Sequence, residues 1–584
     1  MLDPRIYRAA FLPILFALVL AAFSLRDQPR QLTTTLAPDA FDGASAFGQL
    51  QQLAADAPRR RPGSAGDRLV AQRVGQVLRT NGFRVRTRSE RGQTADGERE
   101  LTTVLGERVG FSNHRIVVLT HRDALGEGAQ AELSGTVAML ELARVLGGRT
   151  LRRTLVLAST SGGSAGVAAA KALAQDPGGP VDAVIVLGDV AGTATDRPLV
   201  VPWSDSTAVA PLELRRTVEA AVASETRLRV GSDPPAVQLA RLAFPQTPGE
   251  QGPFDAQGMP SVLLSATGEL PPSADAPVSA ERLTAFGRAA LRSIGALDRG
   301  ADIPPPSAYV VLERKVLPAW PVRLLAAAFV LPVLLAAIDA LARVRRRRER
   351  VLAWLGWLAA GCLPFVLAAL FVVGLFRVGL LDAAPAALSP QGAIAVSGAA
   401  LAALLVVFGL AWVMLRPLLV RLLGLQRAVP ASGAATATVL VLCAVAFVIW
   451  IANPFACLLL VPALHLWLLA VAPEVELRRP LALVLFAIGL VPPLLVAYAV
   501  ARQFGLGPLE LVWAVTLLVA GGGIGIVTVL LWSTLLGCAV AVLLVILRAT
   551  DTSERAIDTP ISVRGPATYA GPGSLGGTES ALRR

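Results

Sequence analysis

THRDALGEGAQAELSG, residues Thr120–Gly135, follows the apolar run RIVVLT at Arg115–Thr120 and leads into Ser134–Leu146, where apolar residues recur at helical spacing. A buried strand, a polar cluster at its carboxyl end, a glycine turn and a helix are thus read from one window. In α/β sheets the carboxyl ends of the strands are where working sites lie, so His121 and Asp123 fall where a site would be.

The same alternation extends both ways. Phe41–Asn81 reads as mostly helical, interrupted at Pro62-Gly63-Ser64. Leu155–Ser159, Ala183–Leu187 and Ser261–Ser265 read as strands, and Ala165–Leu173 and Ser279–Leu297 as helices. The expectation is an α/β domain, a mostly parallel sheet flanked by helices, over residues 26–303. Asp189, just after a strand, is a second candidate site residue.

The remainder of the 584 residues is of another kind. Residues 319–549 are almost continuously apolar, with arginines as punctuation, and predict an all-α polytopic membrane domain over 321–549. Pro304-Pro305-Pro306 opens a stiff linker, residues 304–320. Ala9–Leu25 reads as an uncleaved anchor within residues 1–25, and the tail 550–584 as disordered. Further spans are expected at Pro321–Ala342, Val351–Phe376, Ile394–Leu415, Ala434–Ile451, Phe455–Val471 and Leu481–Ala501. Leu509–Leu547 divides at Gly521-Gly522-Gly523 into two short spans or a half-helix and a full one. Eight spans plus a re-entrant or interfacial piece is the expected count.

Arg5, Arg8, the Arg343–Arg350 cluster, Arg416, Arg421, Arg427, Arg478 and Arg479 then all fall on one side, the cytoplasmic one. This places the N-terminus in the cytoplasm of a multi-pass membrane protein, and residues 26–318 outside. Membrane-flanking arginine accounts for much of the net charge of +12, so nucleic acid is not an expected partner. Lys171 and Lys315 are the only lysines, and the Arg- and Ala-rich composition suggests a high-GC bacterium. Cys362, Cys443, Cys457 and Cys538 all lie in apolar spans, which excludes a disulfide framework or a thiolate zinc site in the outer domain.

His121-Arg122-Asp123, Gly128-Ala129 and the helix from Ser134-Gly135 together resemble the co-catalytic zinc aminopeptidases, peptidase family M28. Arg61-Pro62-Gly63-Ser64, Leu140–Arg144, Gly188–Gly192, Pro253-Phe254 and Gly258-Met259-Pro260 resemble further family segments in order, so the likeness covers most of residues 41–297. The arrangement of anchor, outer domain and multi-span domain is similar to that of endoplasmic-reticulum metallopeptidases and of the attachment subunit of the GPI transamidase complex.

The family resemblance implies two zincs, five protein ligands and a glutamate base that ionises the metal-bound water. His121 and Asp189 match ligands of one zinc, and Asp123 the carboxylate that orients His121. The bridging aspartate falls on Ala131, the general base on Thr160, its neighbouring ligand on Ser161, and the last histidine near Gln251, with Glu250 before it. Three of five ligands and the base are therefore replaced. A one-metal remnant would need a third ligand, such as Glu132 or Glu127.

The plainer readings are that His121 is hydrogen-bonded to Asp123 and that Asp189 shapes a turn before Gly192. The loop Thr160–Ser164 has no Walker lysine and no G-x-S-x-G frame, and reads as a short strand–helix connection. In the spans, Asp339 is expected to pair with Arg343 and His465 to be a packing residue. The expected function is a catalytically inactive binding or scaffold module without a cofactor, its partners the bilayer and a peptide, lipid-linked or protein ligand on the outer face. The alternative is an active membrane-bound metallo-exopeptidase with at most one zinc.

Overall fold

A computed structural model describes the chain except residues 1–3, 35–37, 196–198, 347–350, 382–394, 426–430, 476 and 557–584. The expected tail therefore lies mostly outside the described residues, as do Ile394, Arg427, Arg347, Arg348 and Arg350.

Ten strands are described: β1 (Arg26–Asp27), β2 (Arg84–Thr94), β3 (Gly97–Arg108), β4 (Ser112–His121), β5 (Arg153–Thr160), β6 (Val181–Leu187), β7 (Val200–Val201), β8 (Ser261–Leu264), β9 (Tyr309–Leu312) and β10 (Lys315–Pro318). Seven form one sheet in the order β2-β3-β5-β4-β6-β8-β7. Its centre, β5-β4-β6-β8, is parallel, and antiparallel strands close both sides.

The two-residue alternation of a strand with a core on each face explains why Ile116, Val117, Val118 and Leu119 are all apolar. Ile116 and Val118 enter one core together with Leu155, Leu157, Ile185 and Val262. Val117 and Leu119 enter the opposite core with Val156, Ala158, Val184 and Leu263. Helices Gly43–Asp56, Ala65–Thr80, Gln130–Leu146, Leu212–Thr226 and Ala280–Arg299 supply the first core. Helices Ala168–Gln175, Pro235–Ala243 and Gly252–Ala256 cover the second.

That second core continues out of the domain, since Tyr309, Val310 and Val311 of β9, Val322 and Phe455 belong to it. Residues 304–320 are thus not a free linker. β9 and β10 form a hairpin, and β10 pairs with β1 just after the N-terminal apolar helix. The hairpin is fixed because Gln238 exchanges two hydrogen bonds with the Val311 backbone and Tyr309 donates to Ala210 O.

Among the described residues, seven helices are long and apolar enough to cross a membrane: Ala319–Arg346, Val351–Arg377, Gly398–Leu422, Gly433–Ala452, Pro454–Val471, Arg479–Gln503 and Ile526–Leu547. Tyr7–Phe23 and Pro508–Ala520 are shorter. The region expected to be ambiguous is thus a half-length helix, a glycine break and a full helix. Ile14 and Ala17 of the N-terminal helix pack on Ala328. His465 Nδ1 lies 2.6 Å from Tyr7 Oη and Nε2 lies 2.9 Å from Phe329 O. A carbonyl only accepts, so Nε2 carries the proton and Tyr7 donates to Nδ1: the histidine is a satisfied packing residue. Asp339 pairs with Arg343 one helical turn away.

Candidate functional site

The loop that leaves β4 is shaped by a buried arginine. Arg60 is fully buried and donates to four carbonyls, of Ala57, Arg122, Gly128 and Ala129. It holds Gly128 and Ala129 at φ 80 and 31, and the non-glycine residue in that region is strained. The helix Gln130–Leu146 starts from this corner and brings Glu132 within electrostatic reach of His121. Arg61, the arginine matched to the family turn, points outward and pairs with Asp96. Arg122, also fully buried, pairs with Asp67 at 2.8 Å and donates to Ser159 O and Thr102 O.

Asp123 does something other than orient His121. Its carboxylate accepts from the backbone N–H of Gly162, Gly163 and Ser164 and from the Ser164 hydroxyl. Three successive N–H groups form an anion nest, and the chain fills it with its own aspartate. Thr160–Ser164 is therefore a closed connection.

His121 takes Glu250 as its partner, Nδ1 to Oε2 at 3.3 Å. Thr160, at the general-base position, donates to Glu250 Oε1 at 2.6 Å. Ser161, at the adjoining ligand position, donates to Asp67 at 2.6 Å. Gln251 donates to Trp203 O and to Thr247 Oγ1. Ala131 is buried and brings no ligand atom. Each replaced position that carries a polar side chain is thus bound to the surrounding protein. Asp189 Oδ1 accepts from the N–H of Ala191 and Gly192, which closes a turn, as the plainer reading expects. Asp189 Oδ2, His121 Nε2 and Glu132 Oε2 are buried without a hydrogen-bond partner.

Burial works against charge on both His121 and Glu132. For His121 the hydrogen bond and charge of Glu250, aided by Asp123 and Glu132, prevail and raise it to about 9. Glu132 is pushed up to about 7 by burial, with Asp123 and Asp189 adding to the effect against His121 and Arg60. Burial likewise raises Asp189 against its backbone hydrogen bonds.

Residues 103–245 match the model of Peptidase family M28. This part of the α/β unit is similar to the M28 peptidases over those residues. Similar solved structures include glutaminyl cyclase from Porphyromonas gingivalis, at 16% identity over 44% of this chain and 98% of that chain, TM-score 0.33. A zinc-dependent exopeptidase from Parabacteroides distasonis gives 16% identity, 44% and 98% coverage, and TM-score 0.34. A glutaminyl cyclase from an Acidobacteriales bacterium gives 16%, 47% and 100%, and 0.36. No curated protein sequence is significantly similar to the chain.

Of the positions that the M28 resemblance assigns to zinc ligands and base, Ala131, Thr160, Ser161 and Gln251 carry neither a carboxylate nor an imidazole. Among the described residues, no three His, Cys, Asp or Glu side chains come together so as to hold a metal ion. His121 offers one unpartnered nitrogen, Nε2, and its other nitrogen faces the Glu250 carboxylate, an arrangement that a metal-ligating histidine also adopts. Glu250 is the residue sequence reasoning passed over as a partner. Its adjacency to Gln251, at the position of the last histidine, is the one signal that could have found it.

Proposed function

We propose that the M28 domain is a catalytically inactive binding or scaffold module of a multi-pass membrane protein. The observation that carries this reading is the use of Thr160, Ser161 and Gln251 as internal hydrogen-bond donors where the family places a base and ligands. Hydrolysis by this fold needs an ionised water, and no arranged group here would ionise one. The domain retains the scaffold and carries a partner-binding role on the outer face, the partner being a peptide, a lipid-linked molecule or a protein. Arginine at the span ends supports a cytoplasmic N-terminus and an extracytoplasmic M28 domain.

The test is metal content. Full-length protein in detergent, loaded with zinc and then freed of excess, should retain well below one zinc per chain by elemental analysis. The orphaned His121 Nε2, Glu132 Oε2 and Asp189 Oδ2 favour a second reading, a one-metal exopeptidase with a rearranged site. Retention of one zinc, lost in both His121→Ala and Asp189→Ala, would establish that reading and overturn the first.

A further inference from the structure

The outermost strand of the seven-stranded sheet has a face of a different character. β2 is eleven residues long and pairs on one side alone, with β3. Beyond that pairing, its backbone makes no backbone hydrogen bond among the described residues. Arg84, Arg86 and Arg88 alternate along it and so share one face. Beside them lies a slot enclosing about 40 Å³, whose wall includes Leu105, Val117, Val156, Leu173 and Phe254. Arg88 is paired with Asp176, and Arg115, at the far side, with Glu107. Arg84 and Arg86 are exposed and have no charged or hydrogen-bonded partner among the described residues. Arg84 lies directly across from Glu107, but that carboxylate is turned to Arg115.

We propose that the free edge of β2 takes an acidic peptide segment in extended form, added as an eighth strand. Two features converge on that occupant. The open backbone offers a ladder of donors and acceptors to another strand. The alternating arginines match carboxylates at every second residue, with Arg84 and Arg86 exposed and unpaired among the described residues. Charged side chains on an edge strand also serve to prevent pairing, and the experiment separates the two roles. The proposal names an occupant class for the binding role above but stands apart from the zinc question, because this face sits at the sheet edge, away from His121.

The probe is a fluorescent Glu-Val-Glu-Val-Glu peptide, titrated against full-length protein in discs of zwitterionic lipid and followed by anisotropy. Saturable binding is expected, weakened about tenfold or more in the R84E/R86E double variant, retained in R84K/R86K, and reduced by salt. A peptide N-methylated at alternate residues should bind far less, because charge alone would not register that change. Absence of saturable binding, equal binding by R84E/R86E, or equal binding of the N-methylated peptide would each overturn the proposal. Full competition by inorganic phosphate would also overturn it, leaving a small-anion slot. Self-association of R84Q/R86Q without any peptide binding would assign the arginines to edge protection. Thermal unfolding of each variant excludes misfolding as the cause.

Discussion

Asp123 gathers four donors from three consecutive residues, and the loop after β5 owes its shape to that one carboxylate. Replacing it by alanine leaves three N–H groups, two buried and one half-buried, without an acceptor, which should cost about 3 kcal/mol. Thermal unfolding of Asp123→Ala in detergent checks this; Asp123→Asn, which keeps an acceptor, should lose less. Gly163 shows how closely this loop is applied to the site, since a Cβ there would lie 2.8 Å from Glu250 Cδ. The two perturbed groups of the site predict a pH dependence of definite sign. Glu132 ordinarily titrates near 4.5 and is raised to about 7, so the native state keeps a proton that the unfolded chain has released. His121 is raised from 6.5 to about 9, so its contribution is complete below 6.5 and disappears as pH rises through 9. Both make the unfolded state the poorer proton binder, and stability should therefore fall as pH rises from about 5 to about 9. Melting temperatures across that range check the slope, and Glu132→Gln should flatten its lower half.

Elements buried on both faces were legible because their composition and length leave few alternatives. RIVVLT, Leu155–Ser159 and Ala183–Leu187 are short apolar runs bounded by polar or turn residues, and all three are central parallel strands. β2 was not legible, because RVRTRSERGQT shows an edge strand with one charged face and little apolar period. The β9–β10 hairpin was missed for a different reason. Its four-residue strands follow a proline run that locally favours a stiff extended chain, and their stability comes from Gln238 and Ala210, far away in sequence. The candidate site divides the same way. His121 and Asp189 are found by counting from strand ends, whereas the His121–Glu250 pair joins residues 129 positions apart, and only the packing of two loops creates it. Asp123 was expected beside His121 from the family pattern; the nest at Gly162–Ser164 offers it three N–H groups instead, and that stronger set of donors decides its direction.

Across the whole molecule, the α/β domain and the spans are joined by polar as well as apolar contacts. Glu269 takes two 2.7 Å hydrogen bonds from Arg241, one from Thr247 and one from Gln503 at the end of the helix Arg479–Gln503. Thr247 in turn accepts from Gln251, and Arg241 lies over the Trp203 ring at 5.2 Å. The position matched to a lost metal ligand is thus part of the attachment to the membrane helices. Asn453 adds a second joint, donating to the last carbonyls of Pro235–Ala243 while capping the helix Pro454–Val471. Glu269→Ala would strand a buried guanidinium, at about 3 kcal/mol or more, and should raise hydrogen exchange in residues 244–252. Gln503→Ala should do so less, and equal exchange in Glu269→Ala and the unaltered protein would refute the role. One further feature concerns how the chain is strung. Arg26 faces Val316 and Asp27 faces Lys315 across a single pairing, with Lys315 Nζ 2.7 Å from Asp27 Oδ1. The nearly three hundred residues between them leave and return through one doorway. The α/β domain is therefore a guest in the turn between two neighbouring apolar helices, and another guest with adjacent ends could occupy that doorway without displacing either helix.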